Sequence, residues 1–92
     1  MQVAFLAEVR VKDGVADPEG LAIERALPAL GFAGVGEVSV GKAIRFVVEA
    51  GDEQAARLTA ERLCEALLAN TVIERYELSV LGGAPAAGRP SP

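Results

Sequence analysis

A chain of 92 residues has room for one compact domain and for no second hydrophobic core. Its 9 Lys and Arg against 13 Asp and Glu give a net charge of -4, which argues against the basic face that nucleic-acid-binding modules use to displace counterions. With 51% hydrophobic residues and a mean hydropathy of +0.31, the chain carries more apolar side chain than so small a core can take in, and the surplus is expected to meet another subunit.

One Tyr, three Phe and no Trp leave few platforms for stacking bases. The single cysteine makes no internal disulfide, in keeping with a reducing compartment. No apolar run approaches the ~18 residues of a membrane span, and Met1 to Lys12 lacks the basic start and cleavage site of a signal peptide. A cytoplasmic location is the expectation.

From Gln2 to Lys12, the residues Val3, Phe5, Ala7, Val9 and Val11 alternate with Gln2, Ala4, Leu6, Glu8, Arg10 and Lys12. That period of two predicts a strand with one buried face. Lys12-Asp13-Gly14-Val15 supplies a turn, and Asp17-Pro18-Glu19 opens a helix with an N-cap acceptor, a proline at the first helical position and an acid in the first turn. Ile23, Ala26, Leu27 and Leu30 recur at helical spacing as one apolar stripe, which Gly31 ends. Pro28 falls in the last turn, removes a backbone hydrogen bond and predicts a frayed or kinked end.

Between Glu37 and Glu49 the apolar residues Val38, Val40, Ile44, Phe46 and Val48 keep one even phase through Gly41-Lys42. A two-residue hairpin at Gly41-Lys42 would pair Val40 with Ala43 and break that phase, so one long strand with a glycine bend is the preferred reading. At ~3.3 Å per residue it would run about 40 Å and leave an edge for another chain to cover. Asp52 and Glu53 open a second helix, with Ala56, Ala60, Leu63, Cys64 and Leu67 as its apolar stripe up to Asn70. Val72 to Leu81 reads as the last strand, with Val72, Tyr76, Leu78 and Val80 on one side and Glu74 interrupting them. Residues 82 to 92, rich in Gly, Pro and Ala, read as a disordered tail behind a single domain spanning 1 to 81.

The order strand, helix, strand, helix, strand predicts an α+β sandwich related to ferredoxin-like folds. Two helices would lie on one face of a mostly antiparallel sheet, with a long bent central strand used in dimerisation. The candidate subunit interface is Gly41, Lys42, Ile44, Phe46 and Val48.

Few residues could carry chemistry. The chain has no histidine, so the commonest general base and nitrogen ligand are missing. Cys64 lies in an apolar stripe, where a buried neutral thiol is the ordinary reading, and no CxxC pair offers metal ligands. Gly31, Gly34 and Gly36 fit neither a Walker loop nor a dinucleotide fingerprint and follow a helix instead of preceding one. Glu8, Glu37, Glu49, Glu61, Glu65, Glu74 and Glu77 fall mainly on solvent phases. Lys42 takes an apolar-phase position, which suits a stem lying over apolar surface or an anionic contact across a subunit interface. No catalytic, cofactor-binding or metal-binding residue is assigned.

Several segments together resemble one family. They are Asp17-Pro18-Glu19-Gly20, Arg25-Ala26-Leu27 running to Leu30-Gly31-Phe32, Val38-Ser39-Val40-Gly41-Lys42, Leu63-Cys64-Glu65-Ala66-Leu67-Leu68-Ala69-Asn70 and Val72-Ile73-Glu74-Arg75-Tyr76. In order and spacing they are similar to PurS, the small subunit of phosphoribosylformylglycinamidine synthase, over about residues 2 to 81. Thr71 stands where that family usually has proline, and Pro28 breaks an ordinarily helical position.

The resemblance implies a non-catalytic subunit of a three-part, ATP- and glutamine-dependent ligase of purine biosynthesis. In such a complex a glutaminase subunit releases ammonia, and a large synthetase subunit consumes it with ATP and magnesium. The small subunit, a homodimer or tetramer, bridges the two, assists ammonia transfer and binds no cofactor itself. A reading from another class is a small-molecule-sensing regulatory domain built as a ferredoxin-like dimer.

Overall fold

The computed structural model describes residues 1–81; the tail expected at 82–92 lies outside them. Three antiparallel strands form one sheet in the order β2-β1-β3. They are β1 (Gln2–Val11), β2 (Gly41–Glu49) and β3 (Glu74–Val80), and helices α1 (Pro18–Ala26) and α2 (Glu53–Leu63) lie between them in sequence. The class is the α+β arrangement that the strand and helix periods predict.

Register follows from the apolar phase. Val3, Phe5, Ala7 and Val9 of β1 face Val48, Phe46, Ile44 and Lys42 of β2. Across the other edge of β1, Phe5, Ala7 and Val9 face Val80, Leu78 and Tyr76. A slip of one residue would turn this whole set to the opposite face, so burial of one face fixes the pairing. Ala56 and Ala60 of α2 cover that face, forming a core with Val3, Phe5 and Val48. Two alanines toward the sheet let the helix backbone come close, and Phe5, fully buried, stacks on Phe46 at 5.7 Å between ring centroids. Burial of Phe5 alone contributes about 1.5–3 kcal/mol.

The caps form where their chemistry predicts. Asp17 accepts a hydrogen bond from the Gly20 N–H, and Asp52 accepts one from the Ala55 N–H. Pro28 ends α1 at Ala26 and passes the chain into a single 3-10 turn, Pro28–Leu30. Gly31 then takes the left-handed conformation at φ 90. The Gly31 N–H reaches the Pro28 carbonyl and the Phe32 N–H reaches that of Leu27, the paired bonds of a glycine-terminated helix end.

Five expectations are corrected. The strand through Gly41 contains no hairpin, but it begins at Gly41 and not at Glu37, so it is nine residues and about 30 Å long. Glu37 turns the chain at φ 54, and the N–H groups of Val38 and Val40 donate to the carboxylates of Glu24 and Asp17 instead of to a strand. That strand is also at the sheet edge; β1 holds the centre, which explains why Ala4 is buried and Leu6 half-buried on its nominally polar side.

In the second helix, a π turn at Cys64–Leu68 adds one residue before the apolar stripe returns. The Ala69 N–H bonds to the Cys64 carbonyl, so the buried series runs Ala56, Ala60, Cys64, Ala69 and Leu67 points to solvent. Val72 likewise leaves the last strand for an exposed turn, where the Asn70 side chain accepts from its N–H. The stripe of α1 is not buried either: Gly20 is the helix's one buried residue, and Ile23 and Leu30 are exposed.

Candidate subunit interface

The five interface candidates divide between the chain's own core and its surface. Val48 is buried against Val3, and Phe46 is packed half-buried against the same cluster, so both are largely spent within the chain. Ile44 is half-buried, while Gly41 and Lys42 are exposed at the start of β2. A side chain at Gly41 would run into the Val9 carbonyl oxygen, so the glycine sets how closely β2 can approach β1 there. Lys42 stands beside Val9 in the ladder, and its ammonium pairs with no carboxylate among the described residues.

What these residues do share is an edge. β2 pairs with β1 on one side only, so its other side offers a row of backbone donors and acceptors, which proteins ordinarily cover.

Composition signals surplus apolar surface, and the structure places part of it on α1 and the segment that follows. Leu21 and Ile23 of α1 are exposed, as are Leu30, Phe32 and Val35 in the segment that follows. These residues come before β2 in one continuous stretch of chain. The stretch is anchored by carboxylates: Asp17 Oδ2 accepts from the Val40 N–H at 2.9 Å and Glu24 Oε1 from the Val38 N–H at 3.0 Å. Hydrogen bonds from Val40 and Gly20 hold the Asp17 carboxyl below its ordinary pKa. Leu21, Phe32 and Val35 were legible only as part of the high apolar content, because none of them falls in a stripe with a definite face.

Other titratable groups are arranged for structure. Burial pushes the Cys64 thiol up, with Glu65 and Glu61 adding to the shift, which keeps it a protonated, weakly nucleophilic thiol. The Tyr76 hydroxyl donates to Glu65 Oε2 at 2.9 Å, and desolvation followed by that carboxylate raises its pKa to about 12. Among the described residues no three His, Cys, Asp or Glu side chains converge as a metal group, and no helix is long and apolar enough to cross a membrane.

Comparison with known proteins gives one answer. The profile of the PurS family, described as phosphoribosylformylglycinamidine (FGAM) synthase, matches residues 5–82. A PurS subunit from Synechocystis sp. is 44% identical over 78 residues, spanning 83% of this chain and 78% of that protein. One from Methanocaldococcus jannaschii is 43% identical over 72 residues, 78% of this chain and 87% of that protein. Among solved structures, the purS subunit of Thermotoga maritima superimposes with a TM-score of 0.82 at 34% identity, covering 88% of this chain and 93% of that one. A chain in the structure of PurLQS from Thermotoga maritima gives the same TM-score and identity over 88% and 99%. With kinship extending over nearly all of the described residues, in sequence and in fold, the chain belongs to the PurS family of phosphoribosylformylglycinamidine synthase subunits.

Proposed function

We propose that this chain acts as the assembly subunit of a glutamine-dependent phosphoribosylformylglycinamidine synthase. On this reading it pairs with itself and aligns a glutaminase with an ATP- and magnesium-using synthetase. The observation that carries the reading is the likeness, over 88% of this chain, to a chain of the PurLQS structure from Thermotoga maritima. The molecule itself supports it, since its resources lie in surface: an unpaired edge strand and an apolar helix face.

The chemistry requires such a subunit for a physical reason. Ammonia released by a glutaminase becomes ammonium in bulk water at neutral pH and loses its nucleophilic lone pair. Holding the two active sites in fixed relation lets the neutral molecule cross between them, and the chain that aligns them needs no acid, base or cofactor of its own. The work belongs in the cytoplasm, where glutamine and ATP are at hand. The sensing-domain reading is not favoured, because the sequence and structural kinship both lead to PurS subunits.

Reconstitution of the two larger subunits with and without this chain tests the proposal. Glutamine-dependent activity is expected to fall when the chain is left out, while activity supplied with free ammonia persists. Equal glutamine-dependent activity in both mixtures would overturn it.

A further inference from the structure

The face of the sheet turned away from α2 carries an unusual charge order. Glu8 stands directly opposite Glu77, and two residues along the same ladder Arg10 stands directly opposite Arg75. All four are exposed, so like charges sit side by side twice in succession, an arrangement that costs stability in an isolated sheet. No carboxylate and guanidinium of the four come within ion-pair distance; among the described residues the one ion pair joins the Met1 ammonium to Glu49. On β2 the two rows are completed by Ala43 beside Glu8 and Gly41 beside Arg10, the smallest side chains available, so nothing bulky shields the charges on that side.

An acidic row followed at about 7 Å by a basic row is its own complement. Turn a second copy over about an axis that lies in the sheet plane, across the strands and midway between the rows. Its basic row then falls on the acidic row of the first copy, and its acidic row on the basic one. Glu8 meets Arg10 of the mate and Glu77 meets Arg75 of the mate, each contact occurring twice, as an isologous two-fold interface demands. Cross-strand repulsion within each copy is relieved by the mate, which explains why the rows are not mixed within one chain.

We propose that this open face is a charge-registered contact between two copies of the chain, built on Glu8, Glu77, Arg10 and Arg75. It adjoins the start of β2, whose Gly41 and Ala43 complete the rows, but it is a sheet face and not the strand's unpaired backbone edge, so a chain that dimerises through that edge has a second surface with which to form a tetramer. The inference rests on the reading of the chain as a self-associating subunit and names a surface for it. A free phosphate or carboxylate would answer only the arginine row; a second copy answers both.

A charge-swap experiment on the full chain tests it. One variant carries Arg10→Glu with Arg75→Glu, the other Glu8→Arg with Glu77→Arg; all four positions are exposed, and circular dichroism confirms that each variant folds. Masses are measured by sedimentation at low salt and again at high salt. The wild type is expected to lose one step of association as salt screens the pairs. Each variant is expected to show the smaller mass at both salts, with its association weakened at least tenfold, and an equimolar mixture of the two to regain the larger mass. Either variant keeping the wild-type mass, or a mixture no heavier than its components, overturns the assignment. That failure is distinct from failure of the subunit reading, which is decided by activity in the reconstituted complex.

Discussion

Replacing Gly41 with alanine probes the point where the edge strand meets the centre of the sheet. The new Cβ would overlap the Val9 carbonyl oxygen, a backbone atom, and stand 3.1 Å from the Arg10 Cβ. To reach ordinary contact, the start of β2 must withdraw by about 1 Å, enough to forfeit much of the attraction across the gap. That movement loosens the Arg10–Gly41 and Val9–Lys42 pairs. Overpacking of this kind costs about 1–3 kcal/mol, and the stiffer unfolded chain returns about 0.4–1 kcal/mol. The net loss is about 1–2 kcal/mol.

Gly51→Ala is the control, because the space around that residue is open and no left-handed backbone demands glycine there. It gains only the unfolded-chain effect. Between the two variants the gap is about 2 kcal/mol, or roughly 8–16 °C in melting temperature for a domain of this size. Thermal and urea denaturation at one matched protein concentration measure it, since self-association makes stability depend on concentration. Equal melting of the two variants would refute the close approach of β2 to β1 at Gly41.

Three further outcomes are expected. Asp17 has a folded pKa below its unfolded one, so the stability it contributes is complete above the unfolded value and is lost as pH falls through the folded one. Asp17→Ala should therefore lower the melting temperature at neutral pH and remove part of the acid sensitivity, and a wild-type melting profile across pH would contradict the two hydrogen bonds to Gly20 and Val40. For Tyr76 the sign is reversed: its pKa is raised to about 12, so its contribution holds below pH ~10 and disappears as pH climbs toward the folded value. Phenolate absorbance of the native protein that rises with a midpoint near 10 would rule out the desolvated contact with Glu65. Val48→Asp places an unpaired carboxylate in the core beside Val3 and should cost about 3 kcal/mol or more, seen as loss of the cooperative melting transition; a wild-type transition would mean that β2 buries its other face.

Periodicity reveals which face of an element is apolar, but it does not reveal what covers that face. In β1 and α2 the two coincide. Val3, Phe5, Ala7 and Val9 need a cover, Ala56, Ala60 and Cys64 supply it within the same chain, and both patterns can be read from the residues. In α1 the stripe is equally visible, yet none of the described residues covers it, so Ile23 and Leu30 are found in solvent. Where backbone hydrogen bonds decide the outcome, the apolar period has even less to offer. Val38 and Val40 continue the phase of β2 perfectly, but their N–H groups are claimed by Glu24 and Asp17, residues 14 and 23 positions away, and nothing local announces that competition. The π turn at Cys64–Leu68 is hidden for a similar reason, since one extra residue in the helical repeat changes Leu67 from inward to outward while leaving the composition untouched.

Apart from the π turn at Cys64–Leu68 and the exposed Val72, these departures share a location. The α1 stripe, the shortened start of β2 and the exposed Phe32 and Val35 all lie between residues 21 and 41, where the chain's local preferences and its own fold disagree. Natural sequences keep such disagreement small because each local choice ordinarily supports the global structure. A cluster of them marks a segment that the described residues leave uncovered. Leu21, Ile23, Leu30, Phe32 and Val35 are costly to leave in water, and Glu24 and Asp17 spend two carboxylates on the N–H groups of Val38 and Val40, which join no strand of the sheet. The segment is thus held in solvent at a cost to the stability of the free chain, and that cost is what the proposed assembly role would repay.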